Sequence, residues 1–511
     1  MIIVTLIVAF VYNLTSTGCL TSDMSSEMVL AELLSEKMEI MSTDWYYSTE
    51  LRTINNQIIM MLLFKIFDDY SLIRAIGNSI LLLGMLGSGF FMLTKLGIQK
   101  KSIFLPLSFI ILPFSDYQWL MVLTGAFYIP HVTISFIVLG YLFQVINDSQ
   151  EKYGRIPLYT FSFLAGLGGI RYLLILFLPL CLAGVWGILE SADKKVYWKE
   201  NIHLLSSVQK FRYIISMTVF SVFGFFVYSF ILPNYYTYAS YNQVRFIDLD
   251  SDNIGERLFK IISATINSVL GYYNDVPVFS LEGVSNICVF ACISIITIFL
   301  IIIWKNKIKY DLYIRYLICA NIFNGFVFLF TNEAFSSNTF VSRYYGPILI
   351  PLFLSMAVFD EIVTKKIYKS IFYTGLILSL IILSISHILS CTKVDLNGNR
   401  QNSLNYLLEN NMNFGYATFW NANITTELTD GRIEMASVYG FENMEPYKWL
   451  CPKNYFEQDY SSDPCFILMT KEEQHEYGKS KFVLNGKKEY EDDYYVIYSY
   501  PNSKMIYNMI E

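Results

Sequence analysis

The sequence predicts a polytopic α-helical membrane protein of about eleven transmembrane helices, followed by a small α+β extracytoplasmic domain. Three observations carry this. Of 511 residues, 54% are hydrophobic and only 16% charged, against about 25% charged in an ordinary soluble domain. The apolar residues fall in blocks approaching the roughly 20 residues a helix needs to cross a bilayer. After residue 391 those blocks stop, and the chain turns to Asn, Tyr, Glu and Asp. The net charge of −6 gives no reason to expect nucleic acid.

The candidate spans are 1–17, 73–94, 102–114, 119–145, 156–170, 172–188, 213–232, 286–304, 311–331, 343–360 and 368–390. The first lacks the basic flank and clean cleavage site of a signal peptide, so it reads as a span. The third and fifth are short for full crossings. Orientation follows from lysine. Lys95, Lys100 and Lys101 share one loop, Lys194, Lys195, Lys199, Lys210 and Arg212 a second, Lys305, Lys307 and Lys309 a third, and Lys365, Lys366 and Lys369 a fourth. With these spans all four loops fall on one face, which the positive-inside rule makes cytoplasmic, along with the N-terminus. Domain 1–390 then sends loops 18–72 and 233–285 outward, and domain 391–511 lies outside as well.

The outward face carries arginine where the inward face carries lysine: Arg52, Arg74, Arg171, Arg245, Arg257 and Arg343. A guanidinium fork matches phosphate better than an ammonium does, although arginine also snorkels well at any interface. Arg171 follows Gly166, Gly168 and Gly169 between two apolar runs, where a cation must face protein, water or an anionic headgroup. Arg343 opens a span in "SNTFVSRYYGPILIPLF". Together with Tyr344, these two arginines are the candidates for binding a lipid phosphate.

In the long outer loop, Ile254, Leu258, Ile261, Ile262, Thr265, Val269 and Leu270 recur at helical spacing, as in an amphipathic helix lying on the leaflet. Before it, Asp248 and Asp250 form a D-x-D string that offers a divalent metal two carboxylates. A helix N-cap at Asp252 or Asn253 explains part of the same stretch, and it fails as a calcium loop because Asn253 stands where glycine belongs. No cofactor is otherwise expected. The tail reads as strands at "CFILMT" and "YYVIYSY" and as helix, turn and strand over "NSLNYLLENNMNFGYATFW". Cys451 and Cys465 lie there, where a disulfide could persist. The four histidines are scattered, and no CxxC, HExxH or phosphate loop occurs, so metal-dependent hydrolysis and ATP-driven pumping have no motif to rest on.

The first outer loop holds the acids. "SDMSSEMVLAELLSEKMEIMSTDW", then "IIMMLLFKIFDDYSLIRAIGNSILLLGML", resembles the start of the GT-C superfamily of membrane glycosyltransferases, especially those related to protein O-mannosyltransferases and the aminoarabinose lipid A transferases. In that pattern an acidic pair follows the first span, a helix ends in Asp-Trp, and an amphipathic helix leads to the second span. Here Asp23 and Glu27 take the place of the adjacent pair, four residues apart and so on one helix face, and Trp45 closes the helix. "INNQIIMMLLF" replaces the usual proline segment. "SRYYGPILIPL" resembles the arginine–tyrosine motif before a late span. The resemblance implies sugar transfer from a polyprenyl-phosphate donor to a glycan, lipid or protein acceptor outside a bacterial plasma membrane. It makes Asp23 and Glu27 the catalytic acids, with Asp44, Glu50 and Arg52 as loop or acceptor contacts. A lipid-linked polysaccharide flippase and an envelope scaffold are the alternatives; a transporter should show repeated spans, and none is visible.

The topology has a direct check. A single cysteine at residue 430, or one in loop 18–72, should react with a membrane-impermeant maleimide added to intact cells; labelling only after permeabilisation would reverse the orientation.

Overall fold

The computed structural model describes residues 1–147, 152–193, 200–239, 245–248, 253–305, 310–332, 335–336, 339–363 and 366–510. Among them, seven helices are long and apolar enough to cross a membrane: Tyr70–Leu96, Ile129–Asn147, Ile170–Ala192, Ser207–Asn234, Leu281–Lys305, Asp311–Phe330 and Lys366–Cys391. The other four expected spans are short or broken, and three of them contain proline. The helix Phe104–Phe109 contains Pro106, and Lys152–Leu167 contains Pro157. The segment 343–360 divides into a turn of 3₁₀ helix at Ser342–Tyr345, then Gly346–Leu354 with Pro351 inside, then Met356–Ile362. Each internal proline removes one backbone donor and crowds the preceding turn. At the N-terminus, Ile2–Thr15 is a helix of 14 residues. Of the eleven expected spans, seven are thus helices long enough to cross a membrane.

The chain forms two compact units. One comprises residues 1–9, 79–231 and 242–391; the other comprises 10–78, 232–241 and 392–511. The second unit therefore joins the tail with all of loop 18–72, which the sequence had grouped with the membrane domain.

In the first unit the helices Lys152–Leu167 and Glu200–Phe226 cross closely. A Cβ on Gly224 would lie 2.1 Å from the Phe163 carbonyl oxygen, and one on Gly166 only 2.0 Å from that of Ser221. Small residues permit this approach, the usual device for helix association in lipid. Tyr159 stacks on Phe220 beside the crossing at 4.7 Å. The outer-loop pattern is also realised: Ile254–Ala264 is a helix capped by Asn253, whose side chain accepts from the Glu256 amide.

In the second unit a five-stranded sheet runs in the order Glu434–Val438, Phe414–Thr418, Cys465–Thr470, Tyr495–Tyr500, Lys487–Glu491. Its inner strands bury alternate residues on opposite faces. Phe414, Tyr416, Ile467, Met469, Val496 and Tyr498 join one core, while Ala417, Phe466, Leu468, Tyr495 and Ile497 join the other, the period of two that a strand imposes. A second sheet draws three distant segments together, with Trp45–Tyr47 between Thr237–Tyr238 and Cys451–Pro452. Trp45 is fully buried in it. Cys451 and Cys465 are free, buried thiols on separate sheets.

Gly224→Leu should force the crossing apart, since overpacking costs about 1–3 kcal/mol or more. Gly84 has open space around its Cβ position, so Gly84→Ala is the neutral control. Thermal unfolding of the purified protein should show a lower midpoint for the first variant and no loss for the second.

Candidate active site

In the second unit the acidic stretch folds as the helix Ser22–Lys37, with Asp23 in its first turn. Asp23 is half-buried and Glu27 buried. Glu27 is ion-paired with Arg52, whose backbone is in the left-handed region at φ 49°. A non-glycine residue held there costs of order 1–3 kcal/mol and persists only where its surroundings fix it. Gln57, itself buried, donates to the Arg52 carbonyl. The second oxygen of Glu27 has no hydrogen-bond partner among the described residues. The two acids thus share a helix but not a role: Glu27 belongs to a buried ion pair, and Asp23 faces a more open environment.

The tail segment "GYATFWNANITTELTDGRIEM", to which the sequence alone attaches no chemistry, supports this helix. Its helix Phe419–Leu428 packs on Ser22–Lys37, and Ser22 donates to the Phe419 carbonyl. Arg74 donates from Nε and Nη2 to the two carboxylate oxygens of Glu427, each at 2.8 Å, and from Nη2 to the Met24 carbonyl at 3.1 Å. Both side chains are 3% exposed. Arg74 is therefore spoken for by a carboxylate, as Arg52 is. No spacing rule links residues 74 and 427, so only the fold reveals the pair.

Beside them, Glu32 accepts from the Tyr70 hydroxyl, and Glu434 accepts from Tyr460 at 2.7 Å. Burial pushes the Glu32 carboxyl above the usual glutamate range; Tyr70 opposes this, and Glu36, Glu434 and Asp68 add to it. Burial raises Glu434 likewise, against the Tyr460 hydrogen bond and with a further push from Glu36.

Of the remaining expected contacts, Asp44 pairs with Lys37 at 2.6 Å near the surface, and Glu50 is half-buried in the same loop. Asp248 is exposed, and Asp250 lies outside the described residues. Among the described residues no group of three or more His, Cys, Asp or Glu side chains is arranged to hold a metal ion.

In the first unit the expected phosphate site has a different chemistry. Arg171 follows the break at Gly169, whose φ of 94° suits glycine, and leads into a π-helical turn at Leu173–Phe177. Its guanidinium lies over the ring of Tyr128 at 4.4 Å and over Tyr344 at 5.0 Å. Tyr128 sits at φ 62°, two residues after Ala126 at φ 50°. Two more π-helical turns, Tyr117–Thr124 and Thr265–Val269, pack with the Ser342–Tyr345 turn that carries Tyr344. Left-handed residues and π turns concentrate at functional sites. The Arg343 side chain lies outside the described residues. Arg257 is used otherwise: it donates to the carbonyls of Phe328, Leu329 and Thr331 at 2.6–3.3 Å, closing the C-terminal end of helix Asp311–Phe330. The same unit holds a small apolar cavity of about 20 Å³ whose lining includes Phe109, Phe114, Leu270, Cys292, Phe353 and Leu383.

The whole chain is similar in fold to solved structures of one enzyme. ArnT from Cupriavidus metallidurans bound to undecaprenyl phosphate superposes with a TM-score of 0.57 over 98% of this chain and 97% of that one, at 12% identity. The apo state of the same protein gives 0.54 over the same shares at 11% identity. No family model matches the sequence, and no curated protein matches it.

The two raised carboxyls fix the sign of a pH effect. A glutamate whose pKa is higher folded than unfolded adds stability that is complete below the unfolded value and is lost as pH rises through the folded one. Unfolding followed from pH 7 to pH 5 should therefore show stability rising on acidification, and the double variant Glu32→Gln, Glu434→Gln should flatten that rise.

Proposed function

We propose that the chain is an integral-membrane glycosyltransferase that moves a sugar from a polyprenyl-phosphate donor to a cell-envelope acceptor on the outer face. The observation that carries this is the shared fold with ArnT, described as bound to undecaprenyl phosphate, over nearly the full length of both chains. The acidic loop and the arginine–tyrosine segment, which resemble the GT-C pattern, support it independently of the superposition.

In this reading Asp23 is the base. It takes the proton of the acceptor hydroxyl as that oxygen bonds to the anomeric carbon. The bond from that carbon to the donor phosphate oxygen breaks, and its electron pair leaves with the phosphate. Arg171 receives that phosphate by charge-assisted hydrogen bonding, while Tyr128 and Tyr344 lie against its guanidinium and hold it by cation–π attraction. Arg343 is assigned to the same phosphate. Glu27 positions rather than reacts: through Arg52 it fixes the helix on which Asp23 stands. Asp44 and Glu50 are left as acceptor contacts. The four short segments bring the crossings to about eleven, with the N-terminus inside and domain 391–511 outside, as the lysine loops require. The reaction as written requires no metal.

Purified protein given a labelled undecaprenyl-phosphate sugar and envelope acceptor should transfer the label. Asp23→Asn should lower the rate by about 10²-fold or more while leaving the melting temperature unchanged. Glu27→Gln should also lower the melting temperature, because breaking one side of a buried pair costs about 3–5 kcal/mol. Full transfer by Asp23→Asn would remove the assigned base, and full transfer by both variants would end the catalytic reading.

A further inference from the structure

His131 is 5% exposed, and neither of its ring nitrogens has a hydrogen-bond partner among the described residues. An imidazole carries at least one N–H in every protonation state, and a buried donor without an acceptor is a rare feature that calls for an explanation. The ring is held in place from two sides. It stacks on Tyr172 at 4.7 Å with the planes 16° apart, and Tyr128 meets it edge-on at 5.5 Å. Tyr172 is the residue after Arg171, and Tyr128 is the ring over which Arg171 lies. His131 also stands in the first turn of helix Ile129–Asn147, the end whose dipole favours an anion. Guanidinium, imidazole and helix terminus therefore meet around one tyrosine, and all three favour negative charge.

We propose that His131 is a further phosphate ligand of this site, donating a ring N–H to a phosphate oxygen of the lipid held by Arg171. The assignment rests on the reading of Arg171 as a donor-phosphate site and adds a residue that neither the arginine count nor the acid motif indicates. The ligand chemistry is a phosphate ester on a hydrocarbon chain. His131 supplies a directed hydrogen bond from a ring that stacking keeps from turning, whereas Arg171 supplies charge.

The test uses the full chain in nanodiscs and measures binding of undecaprenyl phosphate, with undecaprenol and phosphatidylglycerol as comparisons. His131→Phe keeps a ring against Tyr172 and removes both nitrogens. It should weaken undecaprenyl phosphate binding by about tenfold or more, the worth of a hydrogen bond to a charged group, with no effect on undecaprenol and no loss of thermal stability. His131→Gln, which retains a donor, should bind within a few-fold of wild type. If Phe prevents folding, His131→Met, flexible enough to fill the same space, takes its place. Unchanged binding in a folded His131→Phe or His131→Met protein would overturn the proposal and reduce His131 to a core residue. A loss confined to phosphatidylglycerol would overturn it in favour of bulk lipid headgroups. Failure of the wild type itself to bind undecaprenyl phosphate would instead strike the underlying reading of the Arg171 site.

Discussion

A guanidinium taken out of water must be given a fixed counterpart, and much of this fold is the set of answers to that demand. Arginine cannot shed its proton to escape the cost of burial. Arg74 meets the two oxygens of Glu427 in a fork at 2.8 Å, Arg52 meets Glu27, Arg257 meets three carbonyls at a helix end, and Arg171 lies against two neighbouring tyrosine rings. The first two answers build the second unit. The pair Arg74–Glu427 joins the start of a long apolar helix to the tail, and the pair Arg52–Glu27 joins the acidic helix to its following loop. Both pairs anchor the helix that carries Asp23: Glu27 stands on it, and Arg74 also donates to its Met24 carbonyl.

The fourth answer differs in kind. Aromatic faces attract a cation without neutralising its charge, and desolvation strengthens that attraction. Backbone strain at Ala126 and Tyr128 and a π turn directly after Arg171 accompany it. These irregular turns lie between regular helices, as positioned functional groups often do.

Much of this was legible in advance. Apolar blocks marked the seven long helices, because length and composition suffice in lipid. The strands at Cys465–Thr470 and Tyr495–Tyr500 followed from β-branched and aromatic runs, and Asn253 was recognisable as a cap. Four other spans are shorter than a full crossing: the third and fifth already read as short, and residues 343–360 divide at Ser355 into two helices, with Pro351 inside the first. The arginines were identified as a class, yet their fates differ through partners hundreds of residues away, which no local pattern encodes. Glu427 lay in a segment with no recognisable motif, and His131 read as one of four scattered histidines. Its meaning comes from Tyr128, three residues before it, and Tyr172, a neighbour that only tertiary packing supplies.

The account stands or falls on where a lipid phosphate binds. A cryo-electron microscopy map of the protein in nanodiscs with undecaprenyl phosphate tests this directly. The account predicts phosphate density within hydrogen-bonding distance of the Arg171 guanidinium edge, with prenyl density along apolar surface. Phosphate density well away from Arg171, or a lipid bound with Arg171 still enclosed by protein groups alone, would contradict it.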